Sequence, residues 1–187
     1  MTHKSLVADI ADALVALDRS GVAFKEFQQG VGPYGEPQLV KHVVSYLNKL
    51  DSYSGLAFSK RTPDLLIRGQ WALEFKIARP FGDNDKEAED WSVNLLHPYE
   101  GNVSTIGDCL KLLRIQGPER KAVVVVGYEH TPPKIDLSVL MNSFEVVATQ
   151  VLGIRIGARV QEVRSGLVHP VHQQLMVSSW EVLGRTT

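Results

Sequence analysis

Residues 62–78 read TPDLLIRGQWALEFKIA, and they carry the clearest strand pattern in the chain. From residue 71 onward a large apolar side chain occupies every second position, which is the period of a strand with one apolar face. Residues 64–68 form a second candidate strand, and Gly69-Gln70 between the two is a candidate turn. The stretch therefore predicts a β-hairpin whose apolar face belongs to Trp71, Leu73, Phe75 and Ile77.

The polar side chains of this hairpin are predicted to converge. Glu74 and Lys76 are two residues apart on one strand, so they point to the same side, away from the apolar face. If the loop comprises residues 68–70, Asp64 lies directly opposite Glu74, with Cβ atoms about 5 Å apart. A two-residue loop would instead place Asp64 opposite Phe75 and separate the two acids, unless a bulge restored their alignment.

Two carboxylates at this spacing repel one another, so their proximity favours a bound cation. Mg²⁺ is a hard, oxygen-seeking ion that keeps open positions for water and phosphate. It lowers the pKa of bound water and polarises a phosphoryl oxygen, while Lys76 is placed to orient the water or to stabilise negative charge in the transition state. These groups together would suffice to hydrolyse a phosphodiester.

The motif Pro63-Asp64, nine intervening residues and Glu74-Phe75-Lys76 resembles the PD-(D/E)XK nuclease superfamily. The resemblance implies that Asp64 and Glu74 bind the metal, often together with the Phe75 backbone carbonyl, and that Lys76 is the catalytic lysine. It also implies a restriction-endonuclease-like fold and Mg²⁺-dependent cleavage of DNA, with Mn²⁺ able to substitute.

Members of that superfamily often add an acidic ligand from a preceding helix. The resemblance implies Glu36 as the first candidate and Glu26 as the second. Glu36 is equally suited to the first turn of a helix, where the helix dipole favours an acid, so both interpretations stay open. The family core has the order α-β-β-β-α-β, which residues 36–127 reproduce.

The remaining elements extend this core. Period and capping signals predict helices at 5–18, from Glu36 onward, at 104–114 and at 136–152, and strands at 55–60, 122–126, 154–164 and 171–182. Ile106, Leu110 and Leu113 are the expected core face of the third helix. We expect an α/β (α+β) fold, a mixed central sheet flanked by helices, in a single domain over residues 1–187. Its core spans 36–127, and a helix and strand pair follow at 136–182.

Composition sets the outer limits. The chain has 187 residues, 44% hydrophobic and 22% charged, which suits one soluble domain. The lone Cys109 excludes an internal disulfide and a multi-cysteine zinc site. No apolar run approaches the ~20 residues of a membrane span, and Asp9 and Asp12 interrupt the first helix, so neither a membrane partner nor a signal peptide is expected. We expect a cytoplasmic protein.

A net charge of −1 gives no general affinity for nucleic acid, but binding needs only a local basic face. Cations near the hairpin that could contact phosphate are Lys60, Arg61, Arg68 and Arg79.

Other polar residues favour plainer interpretations. The acidic stretch 83–90 and His97-Pro98-Tyr99 fit a solvated loop better than a substrate-facing one. We expect Ser104 and Asp108 at cap and surface positions. His169 and His172 are expected at a strand edge, because no further ligand of matching type is nearby, and Tyr128-Glu129-His130 is expected in a loop.

The leading hypothesis is a metal-dependent endodeoxyribonuclease, a hydrolase, and cutting of both strands would favour a homodimer. The alternative is a catalytically silent nucleic-acid-binding module on the same scaffold. A third is a domain unrelated to nucleic acid. The sequence leaves open DNA against RNA, the target, nicking against double-strand cutting, and the oligomeric state.

Overall fold

The computed structural model describes residues 1–26, 29–79, 91–98, 104–129, 132–133 and 136–186. Helices occupy these segments: α1 His3–Asp18, α2 Glu36–Leu47, α3 Trp91–Leu96, α4 Thr105–Arg114 and α5 Leu137–Val146. Strands occupy these: β1 Ala57–Ser59, β2 Leu65–Ile67, β3 Trp71–Ala78, β4 Arg120–Glu129, β5 Ile154–Ile156, β6 Val160–Ser165 and β7 Gln174–Arg185.

The described strands form one mixed seven-stranded sheet in the order β1-β2-β3-β4-β7-β5, and β6 also pairs with β7. The β3 and β4 strands are parallel, and the other pairs are antiparallel. A parallel pair needs a long crossover, which here contains α3 and α4. The protein is therefore an α+β fold with a mixed central sheet, as expected.

Two hydrophobic clusters cover the two faces of the sheet. One cluster packs α1 and α2 against Trp71, Leu73 and Phe75, and the other packs α4 and α5 against the opposite face. In β4, Val124 faces the first cluster and Val125 faces the second. The continuous valine run is thus buried on both sides, as its sequence predicts.

The hairpin has the register that brings the two acids together. Leu65 pairs with Leu73 and Ile67 with Trp71, which leaves the three-residue loop 68–70. Gly69 takes a φ of 68° in this loop, a conformation that favours glycine. The bounds of β3 are also as predicted.

Several other boundaries differ from the sequence prediction. Helix α3 lies inside the region expected to be irregular, and the strand expected at 154–164 is divided into β5 and β6. Tyr128 and Glu129 are not in a loop but continue β4, because β4 extends to pair with the start of β7. The helix expected at 136–152 is α5 followed by one π-helical turn, with Asp136 as its N-cap and Gly153 (φ 61°) after its end.

The expected core face of α4 was partly wrong. Ile106, Cys109 and Leu112 are fully buried, whereas Leu110 and Leu113 are only partly buried. The helix contacts β3, β4 and β7 through a face rotated from the expected one, and this rotation also buries Asp108. Among the described residues, no helix is long and apolar enough to cross a membrane.

Candidate active site

The site lies where β3 extends beyond its antiparallel neighbour. Pairing of β2 with β3 ends at Leu65 and Leu73, and the same register places Asp64 opposite Glu74. Beyond that point β2 no longer pairs with β3, and the Phe75 amide of β3 donates instead to the Asp64 side chain, at 2.9 Å from Oδ2. An edge left unpaired by one strand is thus available for a site.

Glu74 is a buried carboxylate under helix α4. Only 1% of the residue is exposed, and Lys111 Nζ lies 2.7 Å from Glu74 Oε2. Its Oε1 is also buried and has no hydrogen-bond donor in the described part of the chain. Burial raises the pKa of Glu74 to about 8, the Lys111 ammonium opposes that shift, and the neighbouring Asp64 adds to it through charge and a hydrogen bond.

Lys76 lies among acids from both helical layers. Its ammonium is 2.8 Å from Asp108 Oδ2 on α4 and 3.5 Å from Glu36 Oε2 on α2, and it donates to the Phe75 carbonyl at 2.9 Å. Burial lowers the pKa of Lys76, but the charges of Glu36 and Asp108 outweigh burial and raise it overall. Lys76 is therefore a fixed, protonated cation.

Sequence reasoning missed Asp108 and Lys111. Asp108 is not at the surface but 3% exposed, and Lys111 bridges it to Glu74, with 3.1 Å between Lys111 Nζ and Asp108 Oδ1. The available signal was their spacing of three residues, which puts both on one face of α4 beside Ile106 and Cys109. Using it required the correct rotation of the helix.

Of the two acids proposed as the further metal ligand, Glu36 lies at the site. Glu36 is the first residue of α2, and burial raises its pKa to about 7. Lys76 lowers that pKa, while Asp64 and Asp108 raise it, so all of these charges act on Glu36. Glu26 lies exposed in the preceding loop.

The described residues include no group of three or more His, Cys, Asp or Glu side chains arranged to hold a metal ion. The donors that do converge fit part of a divalent-cation site, because the hairpin register places Asp64 opposite Glu74 and Glu74 Oε1 is buried without a donor among the described residues. The Phe75 carbonyl, the third oxygen implied by the resemblance, accepts a hydrogen bond from the Lys76 ammonium.

The predicted phosphate-binding cations have different surroundings. Lys60 and Arg61 are exposed beside Asp64, whereas the Arg68 guanidinium lies 4.2 Å from the centre of the Phe58 ring. Arg79 donates to the carbonyls of Gly32 and Tyr34 and so supports the glycine-rich loop before Glu36.

The histidines predicted at a strand edge are instead buried. His169 and His172 are 4% and 2% exposed and stack with 4.7 Å between ring centroids, in the loop between β6 and β7. Gly32 packs so closely on His172 that a Cβ would not fit. The pair therefore packs against the glycine-rich loop.

Ser104 caps α4 as predicted, accepting from the Gly107 amide at 3.0 Å, and its hydroxyl donates to the His97 carbonyl. Residues 83–90, Tyr99 and His130 lie outside the described residues.

Comparison with protein-family models, curated proteins and solved structures finds no match.

Proposed function

We propose that this protein is a Mg²⁺-dependent endonuclease that hydrolyses DNA phosphodiester bonds. One observation carries the proposal: Asp64, Glu74 and Lys76 converge at the free edge of β3, in the register that the motif requires. Glu74 is a buried carboxylate beside the partly buried Asp64, and its Oε1 has no donor among the described residues; this arrangement is unfavourable by itself, and a divalent cation would resolve it.

In this proposal Asp64 and Glu74 hold the cation, and Glu36 is the further acid on the α2 side. Bound Mg²⁺ would supply a Lewis acid that lowers the pKa of water and neutralises charge on the phosphoryl oxygen. Mn²⁺ would serve as a substitute because it accepts the same oxygen ligands.

Lys76 is the residue that meets the substrate. Its ammonium is fixed by Asp108 and Glu36, so it is protonated and oriented before a phosphate arrives. Such a preorganised cation stabilises the additional negative charge of the transition state without reorganisation. Asp108 contacts Lys76 and Lys111, and we assign it a positioning role.

A catalytically silent nucleic-acid-binding module is the second candidate, and a specific contact favours it. Glu74 and Asp108 already have lysine partners, since Lys111 bridges them and Lys76 binds Asp108. A scaffold that needs no metal would keep these ion pairs permanently. In such a module DNA would bind without being cut in any divalent ion.

The decisive experiment measures the rate at which the purified protein cleaves supercoiled plasmid DNA in Mg²⁺ or Mn²⁺. We expect Asp64→Asn, Glu74→Gln and Lys76→Met each to lower the cleavage rate by at least about 100-fold, as loss of one preorganised catalytic group does. Asp51→Asn and Lys49→Met are the matched controls, because both side chains are exposed and lie away from the site.

Circular dichroism of each variant separates loss of activity from loss of fold. Cleavage that persists in the Asp64, Glu74 and Lys76 variants would exclude this site. A wild-type protein that binds the plasmid without cutting it in either ion would favour the silent module.

A further inference from the structure

A groove opens beside the candidate site, between the start of α2 and the turn that precedes β2. Its volume is about 420 Å³, and its lining includes Glu36 and Asp64 from the site. The same groove is lined by three cations, Lys41 from α2 and Lys60 and Arg61 from the turn. The acids of the site and the cations thus share one continuous cavity.

The three cations are exposed and carry no counter-ion within the described ranges. Lys41, Lys60 and Arg61 form no ion pair there, unlike Lys76 and Lys111 in the adjoining site. Cations whose charge is not neutralised by the protein attract a polyanion and release its counter-ions when they bind it. Their clustering on one groove is therefore a local basic surface in a chain whose net charge is −1.

The backbone of this turn is itself held in place. The Lys60 amide donates to the Asp64 carbonyl at 3.1 Å, which links the cationic turn to the residue proposed to hold the metal. On the other wall, Lys41 is five residues after Glu36, so both project from the first half of α2. The backbone that carries the groove cations is thus held close to the backbone that carries the acids.

We propose that this groove binds the sugar-phosphate backbone of the DNA strand next to the bond that is cut, through Lys41, Lys60 and Arg61. Contacts of this kind set the register of the duplex and are independent of base sequence. The inference rests on the proposed nuclease function and names the residues that hold its substrate. The three cations bind DNA and take no part in the hydrolysis step.

The test measures binding and cleavage separately. Fluorescence anisotropy of a fluorescein-labelled DNA duplex, in Ca²⁺ in place of Mg²⁺, gives the Kd as a function of salt. We expect Lys41→Ala, Lys60→Ala and Arg61→Ala each to raise Kd about 3–10-fold, and the slope of log Kd against log salt to fall by about one for each lost phosphate contact.

Lys49→Ala is the matched control, an exposed lysine just after the other end of α2, and its Kd should stay within about twofold of wild type. Single-turnover cleavage in Mg²⁺ at subsaturating DNA should stay at the wild-type rate in Lys49→Ala and should fall in the three groove variants in step with their weaker binding.

The triple variant gives the clearest result. Wild-type Kd and salt slope in Lys41→Ala/Lys60→Ala/Arg61→Ala would overturn the inference, as would a wild-type protein that binds no duplex. If the triple variant loses binding while the wild type cuts no DNA in Mg²⁺ or Mn²⁺, the groove assignment stands and the nuclease function fails. If the wild type cuts and the triple variant binds normally, the nuclease function stands and the groove assignment fails.

Discussion

Among single residues, Glu74 carries the largest electrostatic conflict in the site. Its carboxylate is 1% exposed, and burial raises its pKa to about 8, with only Lys111 opposing the shift. A site that is unfavourable in the metal-free protein is one that a ligand can stabilise strongly, because the ligand relieves the conflict it finds. Stability and metal binding are therefore opposed at this position.

Glu74→Gln should stabilise the metal-free protein at pH 8. An acid whose folded pKa exceeds its unfolded value binds extra protons in the folded state between those pKa values, so it makes stability fall as pH rises from about 4.5 to 8. The amide removes this loss, and we expect a gain of about 1–3 kcal/mol at pH 8 in urea unfolding with EDTA present.

The pH profile identifies the cause. The difference between Glu74→Gln and wild type should shrink toward pH 5, where the wild-type carboxyl is protonated in the fold. Asp51→Asn, at an exposed position, should follow the wild-type profile. A constant difference at every pH would show that packing, and not charge, is responsible.

At the scale of elements, α4 supplies two charged groups to a site that the β-hairpin begins. Because α4 packs on β3 and β4, Asp108 and Lys111 contact Lys76 and Glu74 on the face of the sheet that α4 covers. Lys111 is 40% exposed on its side chain, so its ammonium can turn outward without breaking the helix. If the Lys111 ammonium turned outward, a metal could take its place as the partner of Glu74.

Lys111→Met should lower the melting temperature of the metal-free protein and enlarge its rise on adding Mg²⁺ or Mn²⁺. Above about pH 8, where Glu74 is charged, the methionine leaves it without its ion-pair partner, which is costly for a buried charge, and removes a cation that competes with the metal. We expect metal affinity, measured by calorimetry without DNA, to rise about 3–10-fold.

Lys49→Met controls for loss of one exposed positive charge. An identical metal-induced rise in melting temperature for wild type and Lys111→Met would mean that Lys111 and the metal do not compete.

At the scale of the whole molecule, Asp18 joins segments that are far apart in the chain. This carboxylate at the end of α1 is 1% exposed and accepts from the Val31 amide at 2.8 Å and the Val168 amide at 2.7 Å. Val31 lies in the loop that leads to Glu36, and Val168 lies in the loop between β6 and β7. The terminal segments thus support the position of the site.

Asp18→Asn should lower the free energy of unfolding by about 1–3 kcal/mol, because an amide cannot accept on both sides and leaves one buried amide group unpaired. Hydrogen exchange at Val31 and Val168 should become faster. Asp12→Asn on the same helix is the control, since the Asp12 side chain is 51% exposed and forms an ion pair with Arg164. Equal losses of unfolding free energy in the two variants would show that the hydrogen bonds of Asp18 contribute no more than the exposed ion pair of Asp12.

The hairpin could be predicted because its information is local. The alternation along residues 71–78 fixes the apolar face, and the turn at Gly69 limits the hairpin to a two- or three-residue loop. The structure has the three-residue loop, which places Asp64 opposite Glu74. The fold class follows in the same way from the order of helical and strand periods. The Asp136 cap and the valine strand are also local signals.

Contacts between distant segments set the features that the sequence did not predict. These are the rotation of α4, the burial of His169 and His172, and the continuation of β4 through Tyr128. Periodicity gives the width of an apolar face but not which charged neighbour packs against the sheet, and so Asp108 was wrongly expected at the surface and Lys111 was not singled out. The sequence alone determined the strand pair and the acids on it, because neighbouring residues specify these, and the structure chose between the two hairpin registers that the sequence left open. Only the tertiary structure decided which lysine faces which acid and which cations line the groove, because those distances depend on how separate elements pack.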